Sequence, residues 1–314
     1  MSVDFRKLKS FVKVVDAGSV SRAAGILSTA QPALSQQIAA LESHFRHKLL
    51  IRSNHGIVPT EAGLILYRHA QALLKQVEQA RIDMDLSAGT VAGRVSIGLA
   101  TYSSSTALSL PLLKAMKERH PQILIHINDS FGHVLSELIM TGRMDMAVIY
   151  GSGPIKGVVL QPLFGEELVL VSPPGSHADV PESEPLPLSA LAGVDLLLPS
   201  GGHFLRRMID EGLARARVTP HVVSEIESVS SLGAAVLEGL GATILPGSVA
   251  GSVASFGGAA VRRLVRPAMT ATVSLCISDH LPLSEPALAA RSVLIDIVAG
   301  MVSNTSLGLK PVSR

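Results

Sequence analysis

The segment from Gly18 to Glu42, GSVSRAAGILSTAQPALSQQIAALE, constrains the chain most. It reads as two short helices around a tight turn, the second built to lie against something other than protein. At about 100° per residue, Leu34, Ile38, Leu41 and Phe45 share one stripe, while Pro32, Gln36, Ala39 and Ser43 fall opposite. The first stripe is apolar and predicts a core face. The second is small and polar, and its N-terminal half carries no carboxylate to repel a polyanion. Gln31, Ser35 and Gln36 offer donors and acceptors of the kind that reach base edges in a major groove, and Pro32 suits the first turn of a helix. This is the recognition-helix pattern of a helix-turn-helix. Two amphipathic helices inside an all-helical core produce the same periodicity.

Charge separates these readings. Residues 1 to 60 hold eight Lys and Arg against three Asp and Glu, leaving 19 against 22 for the rest, so the head is basic and the body mildly acidic. A nucleic-acid contact on one domain requires that asymmetry. With 314 residues, 47% apolar and 17% charged, the chain is globular and divides into more than one domain. A lone cysteine, Cys276, excludes an intramolecular disulfide and fits a reducing compartment. Met1 to Lys9 leads straight into an amphipathic helix, so no signal peptide and a cytoplasmic location are expected. The least charged run, Gly239 to Val261, is broken by glycines, serines and Pro246, and is expected to be loop, strand and turn with no membrane contact.

Around the helix-turn-helix, Phe5, Leu8, Val12 and Val15 recur at helical spacing, and Gly18 stands where a left-handed residue ends the helix. Ser19 suits the N-cap of the next helix. Ser21 and Arg22 project from its first turn, where Arg22 can meet a phosphate or simply sit solvated. Leu49 to Arg52 and Ile57 to Pro59 bracket the turn-rich Ser53, Asn54, His55 and Gly56, a wing with Arg52 at its base and His55 at its tip, positioned for the DNA backbone or for the narrow minor groove. His44 and His47 form an HxxH without a third ligand nearby, so no metal site is expected. Thr60 caps a longer helix in which Leu66, Ala70, Leu73, Val77, Ala80 and Met84 alternate at spacings of four and three, a seam that wants a partner helix. Ser87 to Gly93 is then a flexible joint.

The run LKSFVKVVDAGSVSRAAGILSTAQPALSQQIAALE, followed by LLIRSNHGIVPTEAG and a long helix, resembles the DNA-binding head of LysR-type transcriptional regulators almost without gaps from residue 5 to about residue 85. Most of that family carries arginine where this chain has Gln36. The glutamine variant, with RVSIGLA, MDMAVIYG and EIESVSSL further on, is similar to the nitrogen assimilation control branch. The resemblance implies a winged helix-turn-helix over 1–59, a linker and dimerisation helix over 60–86, a hinge over 87–93 and a two-lobed, periplasmic-binding-protein-like α/β effector domain over 94–302. It implies double-stranded DNA, a small-molecule effector and RNA polymerase as partners, and a homodimer or homotetramer.

From Arg94 the texture changes to short apolar runs between helical stretches. RVSIGLA, ILIHIND, MDMAVIYG, EELVLVSP, DLLLPS and GATILPG are expected to be buried parallel strands, with helices over 106–119, 131–142, 203–216, 228–240 and 284–301. Ligands of open α/β sheets lie beyond the carboxyl ends of the strands. The residues there are Thr101, Ser103, Ser104, Asp129, Ser130, Tyr150, Ser200, His203, Glu227 and Ser228. Hydroxyls at helix N-termini favour an anion, although any one of these serines also serves as a plain N-cap. The expected effector is a small anionic metabolite between Thr101 to Ser105 and Ser200 to His203. Asp145 and Glu167 have no obvious partner and are expected to be surface or capping groups. No GxSxG, HExxH, P-loop or strand-led GxGxxG is present, so neither enzyme nor cofactor is expected. A solute-binding protein shares the two-lobed body but would not carry the basic head. Residues 303 to 314 are expected to form a flexible, dispensable tail.

Overall fold

The computed structural model describes residues 4–53, 56–85, 91–151, 153–176, 184–255, 258–303 and 309–311. The expected wing tip at His55, and residues 87 to 90 of the expected joint, lie outside them.

The head is set by its caps. Asp4 accepts the Arg6 amide (2.9 Å) to start α1 (Phe5–Ala17), and Gly18 ends it in the left-handed region at φ 61°. Ser19 caps α2 (Val20–Ile26), which leads to α3 (Gln31–Phe45) with Pro32 in its first turn. Leu34, Ile38 and Leu41 bury against Phe11, Val14, Val20 and Ala23. Phe45 departs from the expected core stripe: it is exposed and packs edge-on against His44, because the core ends at Leu41. Phe5 is likewise 50% exposed.

A two-stranded wing, β1 (Leu50–Ser53) and β2 (Gly56–Pro59), docks back on this unit. The Gly18 carbonyl accepts the Ile57 amide at 2.9 Å, and a Cβ on Gly56 would stand 2.9 Å from that same oxygen. Glu42 joins wing to helix by accepting Lys48 Nζ (2.8 Å) and the Leu49 amide (3.0 Å). Burial opposes its ionisation, but these donors outweigh burial and hold the carboxyl below its ordinary range.

Thr60 accepts the Gly63 amide (2.9 Å) ahead of α4 (Glu61–Asp85), and a Cβ on Gly63 would collide with the Leu49 carbonyl. Tyr67 Oη donates to Asp16 (2.5 Å) on α1, and burial raises its pKa to about 12. This contact rotates α4 away from the expected seam. Ala70 is fully buried in the head and Leu66 packs beside it, so neither faces outward. Val77 is half-buried, whereas Leu73, at 42%, Ala80 and Met84, at 85%, are exposed, and with Ile65 they form the outer stripe.

The body starts with β3 (Gly93–Ala100), a 3-10 turn (Ser104–Leu108), α5 (Ser109–Arg119), β4 (Ile123–Ser130), α6 (Gly132–Met140) and β5 (Met146–Tyr150). A long strand, β6 (Val158–Ser172), leads to β7 (Leu186–Pro187), a second 3-10 turn (Leu188–Leu191), β8 (Asp195–Leu198), α7 (Phe204–Arg215), β9 (His221–Glu225), α8 (Val229–Leu237) and β10 (Thr243–Pro246). Then follow α9 (Gly247–Ser255), β11 (Ala260–Val265), β12 (Thr270–Ser278), α10 (Glu285–Ser303) and β13 (Leu309–Lys310). Strands β4-β3-β5-β12-β6 make the first lobe, and the second half of β6 continues with β10 and β11 into the second. The β6–β12 pair thus carries both crossings between lobes.

Several expectations need correction. Among the described residues, β3, β4 and β5, the β8–β9 pair and the short β7–β11 pair run parallel; EELVLVSP lies in antiparallel pairs, and GATILPG pairs antiparallel with β6 while its Ala242 bridges parallel to Leu196 of β8. Residues 239 to 261 include a helix, α9, and HVVSE, AVRRLV and TATVSLCIS are strands beyond the expected set. The α10 helix is long and apolar enough to cross a membrane, yet Ala287, Ala290, Val293 and Leu294 bury in the main core, where burial itself explains the apolarity. The tail is not free throughout: β13 pairs with β6, and Leu309 is only 7% exposed.

Asp145 is buried rather than surface-exposed. Its Oδ2 accepts the Ser96 amide (2.9 Å) and hydroxyl (3.0 Å), and its Oδ1 pairs with Lys75 of α4. Gln79 of α4 also donates to the Ala92 carbonyl (2.8 Å). Asp145→Ala leaves the Ser96 donors and Lys75 without their acceptor, and should lower unfolding stability by about 1–3 kcal/mol. Urea unfolding checks the size, and hydrogen exchange should show α4 loosening from β3 while α1 to α3 stay protected.

Candidate nucleic-acid interface and inter-lobe cleft

Helices α2 and α3 present one outward polar surface. Ser21, Arg22, Gln31, Pro32 and Gln36 are exposed and Ser35 is half-buried. The Ser21 hydroxyl donates to Gln31 Oε1 at 3.1 Å, which braces the two helices at the start of α3. Arg52 is exposed on β1. Carboxylates are kept off this surface: Glu42 is turned to the wing's root, and Asp16 is held by Tyr67. The result is a convex face of amide, hydroxyl and guanidinium groups whose leading helix is narrow enough for a major groove.

The strand-end residues divide into three sets. Thr101, Ser103, Ser104 and Tyr150 cluster on the first lobe, with Ser103 and Ser104 buried. His203 lies between two rings, edge-on to Tyr102 (5.3 Å between centroids) and to Phe131 (5.4 Å). Tyr102 Oη reaches the second lobe and donates to the Ile226 carbonyl at 2.8 Å. Tyr150 stacks on Phe204. The cleft is therefore closed by the chain's own aromatic groups. Glu227 and Ser228 stay exposed at the rim: Glu227 accepts the Ser200 amide (3.2 Å), and Ser228 caps α8. Asp129 is exposed, while the Ser130 carbonyl accepts the Thr101 amide at 3.1 Å.

A residue that sequence reasoning missed dominates the cleft floor. Glu166, 1% exposed, places Oε2 at 3.4 Å from the Ser104 amide and Oε1 at 2.5 Å from Tyr150 Oη. Tyr150 Oη also donates to the Tyr102 carbonyl at 2.7 Å. A phenol has one proton to give. Because a carbonyl only accepts, both contacts are satisfied when the carboxyl is protonated and donates to Tyr150. Burial pushes the Glu166 carboxyl upward against the lowering effect of the Ser104 and Tyr150 hydrogen bonds, which agrees. The Tyr150 hydroxyl is itself raised well above its ordinary value, chiefly by burial. The one sign of Glu166 in the sequence is a carboxylate entering the apolar run EELVLVSP.

This corrects the expected anion pocket. The 3-10 turn already has Glu166 and Ser103 Oγ at its first amides, and His203 Nδ1 accepts the Leu205 amide (3.1 Å) at the start of α7. An incoming anion would find those donors taken. Polar capacity remains at Thr101 Oγ1, Ser104 Oγ and His203 Nε2, which are buried without a hydrogen-bond partner. Since Nδ1 accepts, the His203 proton sits on Nε2, and burial lowers the pKa of the ring. These atoms suit a neutral hydrogen-bonding group or water.

The comparisons with known proteins agree with this geometry. Residues 5–64 match the model of the bacterial regulatory helix-turn-helix protein, lysR family, and residues 88–298 match that of the LysR substrate binding domain. The chain is 39% identical over 300 residues to the nitrogen assimilation regulatory protein nac of Klebsiella aerogenes, covering 95% of this chain and 96% of that one. It is 39% identical over 303 residues to the protein of the same name from Escherichia coli, covering 96% and 97%. Its fold is similar to a full-length OxyR variant from Pseudomonas aeruginosa (TM-score 0.70, 24% identity, 95% of each chain). It is also similar to full-length CbnR complexed with its target DNA (TM-score 0.55, 20% identity, 94% of this chain and 100% of that one).

The raised carboxyl of Glu166 makes a signed prediction. A group whose native pKa lies above its ordinary value stabilises the fold fully below that ordinary value and loses the contribution as pH rises through the native one. Glu166→Gln keeps a neutral donor and acceptor, so the variant should gain on the wild type as pH rises from acid. Thermal unfolding across a pH series checks this; parallel curves would show that no proton is held there.

Proposed function

The chain belongs to the LysR family of bacterial transcriptional regulators, and from that membership we propose that it binds paired DNA half-sites as a dimer and controls nitrogen-assimilation genes. The observation that carries this reading is the carboxylate-free face of α2 and α3 on a basic head, in a chain 39% identical along nearly its whole length to two nitrogen assimilation regulators. Gln36 and Ser35 read base edges, while Arg22, Arg52 and the wing tip at His55 position the phosphate backbone. The protein works by binding and not by catalysis, in the cytoplasm, with RNA polymerase as its final partner.

Dimerisation runs through the exposed stripe of α4, that is Leu73, Ala80 and Met84 with Ile65, and not through Ala70. Paired heads then reach half-sites about one helical turn of DNA apart, and two dimers can join into a tetramer. An effector enters only when the Tyr102 to Ile226 contact opens, and it is a small molecule that hydrogen-bonds as a neutral group. With the lobes closed by the chain's own rings, abundance of the protein is the other control.

Genome-wide mapping of bound sites tests the pathway: sites upstream of genes for nitrogen uptake and amino-acid breakdown are expected, and a set without them would refute it. Gln36→Ala should cost about 1–3 kcal/mol on the mapped site and little on random DNA, whereas Arg22→Ala should weaken both alike. Equal losses for Gln36→Ala on the two duplexes would remove it from base reading. Leu73→Glu should yield monomers by light scattering, because burying an unpaired charge costs several kcal/mol, on the order of the dimer's own stability; a variant that stays dimeric moves the interface elsewhere.

A further inference from the structure

We propose that the C-terminal segment at Leu309 and Lys310 is a strap that holds the hinge between the two lobes and thereby keeps the cleft closed. Its register places it there. Along one side, β6 pairs with β12 from Val158 to Glu167 and with β11 from Val169 to Ser172, so the change of lobe falls between Glu167 and Val169. On the opposite side, β10 covers β6 from Leu168 to Val171, and β13 covers two residues that stop one short of it, Leu309 opposite Glu166 and Lys310 opposite Gly165. The strap therefore lies on the edge strand of the first lobe's sheet, immediately before the point where a hinge would bend, with only Glu167 between it and the second lobe's cover of β6.

Two side chains fix it. Leu309 buries in the main core, and Lys310 Nζ pairs with Glu167, which also accepts both Arg263 Nε (3.2 Å) and Nη2 (3.1 Å) from β11. Burial opposes ionisation of Glu167, but Lys310 and Arg263 outweigh it and hold the carboxyl below its ordinary range. One carboxylate thus ties the strap to the second lobe. The residue opposite Leu309 is Glu166, whose side chain holds Tyr150 and Ser104 on the cleft floor. The backbone of a single residue is gripped by the strap while its carboxyl grips the cleft. Loss of the strap frees β6 to bend just beyond that residue and withdraws the carboxyl that organises Tyr150 and, through it, the Tyr102 carbonyl.

Hydrogen exchange on the full-length protein tests this with Lys310→Glu, which repels Glu167 from a half-exposed position, and Lys310→Arg, which preserves the pair. Exchange should rise roughly tenfold in Lys310→Glu, both in residues 163–168 and in the cleft segments 100–106 and 222–228, while the head, residues 5–45, and the whole Lys310→Arg protein remain as in the wild type. Acceleration confined to 163–168 would reduce β13 to local edge cover and overturn the strap, as would no acceleration at all. Should Lys310→Glu loosen the head as well, truncation after Ser303 decides: cleft exchange equal to the wild type's overturns the proposal, and raised cleft exchange with a protected head supports it. None of these outcomes depends on DNA, so failure here leaves the regulatory reading intact.

Discussion

The carboxylate of Asp145 holds the DNA-reading half of the molecule against the other half. A buried charge is tolerated only when paired and hydrogen-bonded, and Asp145 meets that condition with the Ser96 amide and hydroxyl on β3 and Lys75 on α4. Both oxygens are engaged, one by each half. At the other end of α4, Tyr67 is held by Asp16 and by Gln71, so the helix has polar anchors to α1 and to the first lobe. A shift of β3 relative to β5 therefore has a continuous packed route to the heads. That route is spatial continuity; energetic coupling along it is what the Asp145 variant measures.

The cleft floor depends on a different buried carboxyl. Glu166 satisfies two groups on the cleft floor, and its protonated form removes the cost that a buried charge beside Tyr150 would carry. The two carboxyls differ in their surroundings: Asp145 has a cation within reach, whereas Glu166 is met by a phenol and an amide. One joins domains; the other, its carboxyl pushed upward by burial, joins strand to turn. The lobes meet over this floor through ring contacts and the Tyr102 to Ile226 hydrogen bond, contacts that break together if the hinge in β6 bends.

What can be read from the sequence follows the range of the interactions. The helix-turn-helix is local, since its caps, its turn glycine and its apolar stripe lie within a few residues of one another, and it stands as expected apart from Phe45 and Phe5. The α4 seam is displaced at its N-terminal end because Tyr67 is drawn to Asp16, 51 residues away, and no periodicity records that. The partner of Asp145 on α4 is 70 residues away, the turn capped by Glu166 is 62 away, and Lys310 and Glu167 are separated by 143. A carboxylate reads as surface until its partner is known. Parallel and antiparallel strands look alike once both faces are buried, which is why EELVLVSP reads as a parallel strand and pairs antiparallel.

The acceptors already in place at the two turns bear on how such a body can be controlled. Free helix N-termini attract anions because their first amides lack acceptors and the dipole is unopposed. Here the chain has brought its own acceptors to both turns, Glu166 and Ser103 on one side and His203 Nδ1 on the other. A ligand must displace these or use what they leave, namely the hydroxyls of Thr101 and Ser104 and the Nε2 proton of His203. Displacement would return Glu166 to a site where its charge is unpaired and would break the contacts that close the lobes. The energy for opening must then come from the ligand's preference for the open arrangement, since a ligand with equal affinity for both shifts nothing. A small molecule bound tightly to the closed cleft would leave the heads where they are; only one that competes with the Tyr102 to Ile226 contact can move them.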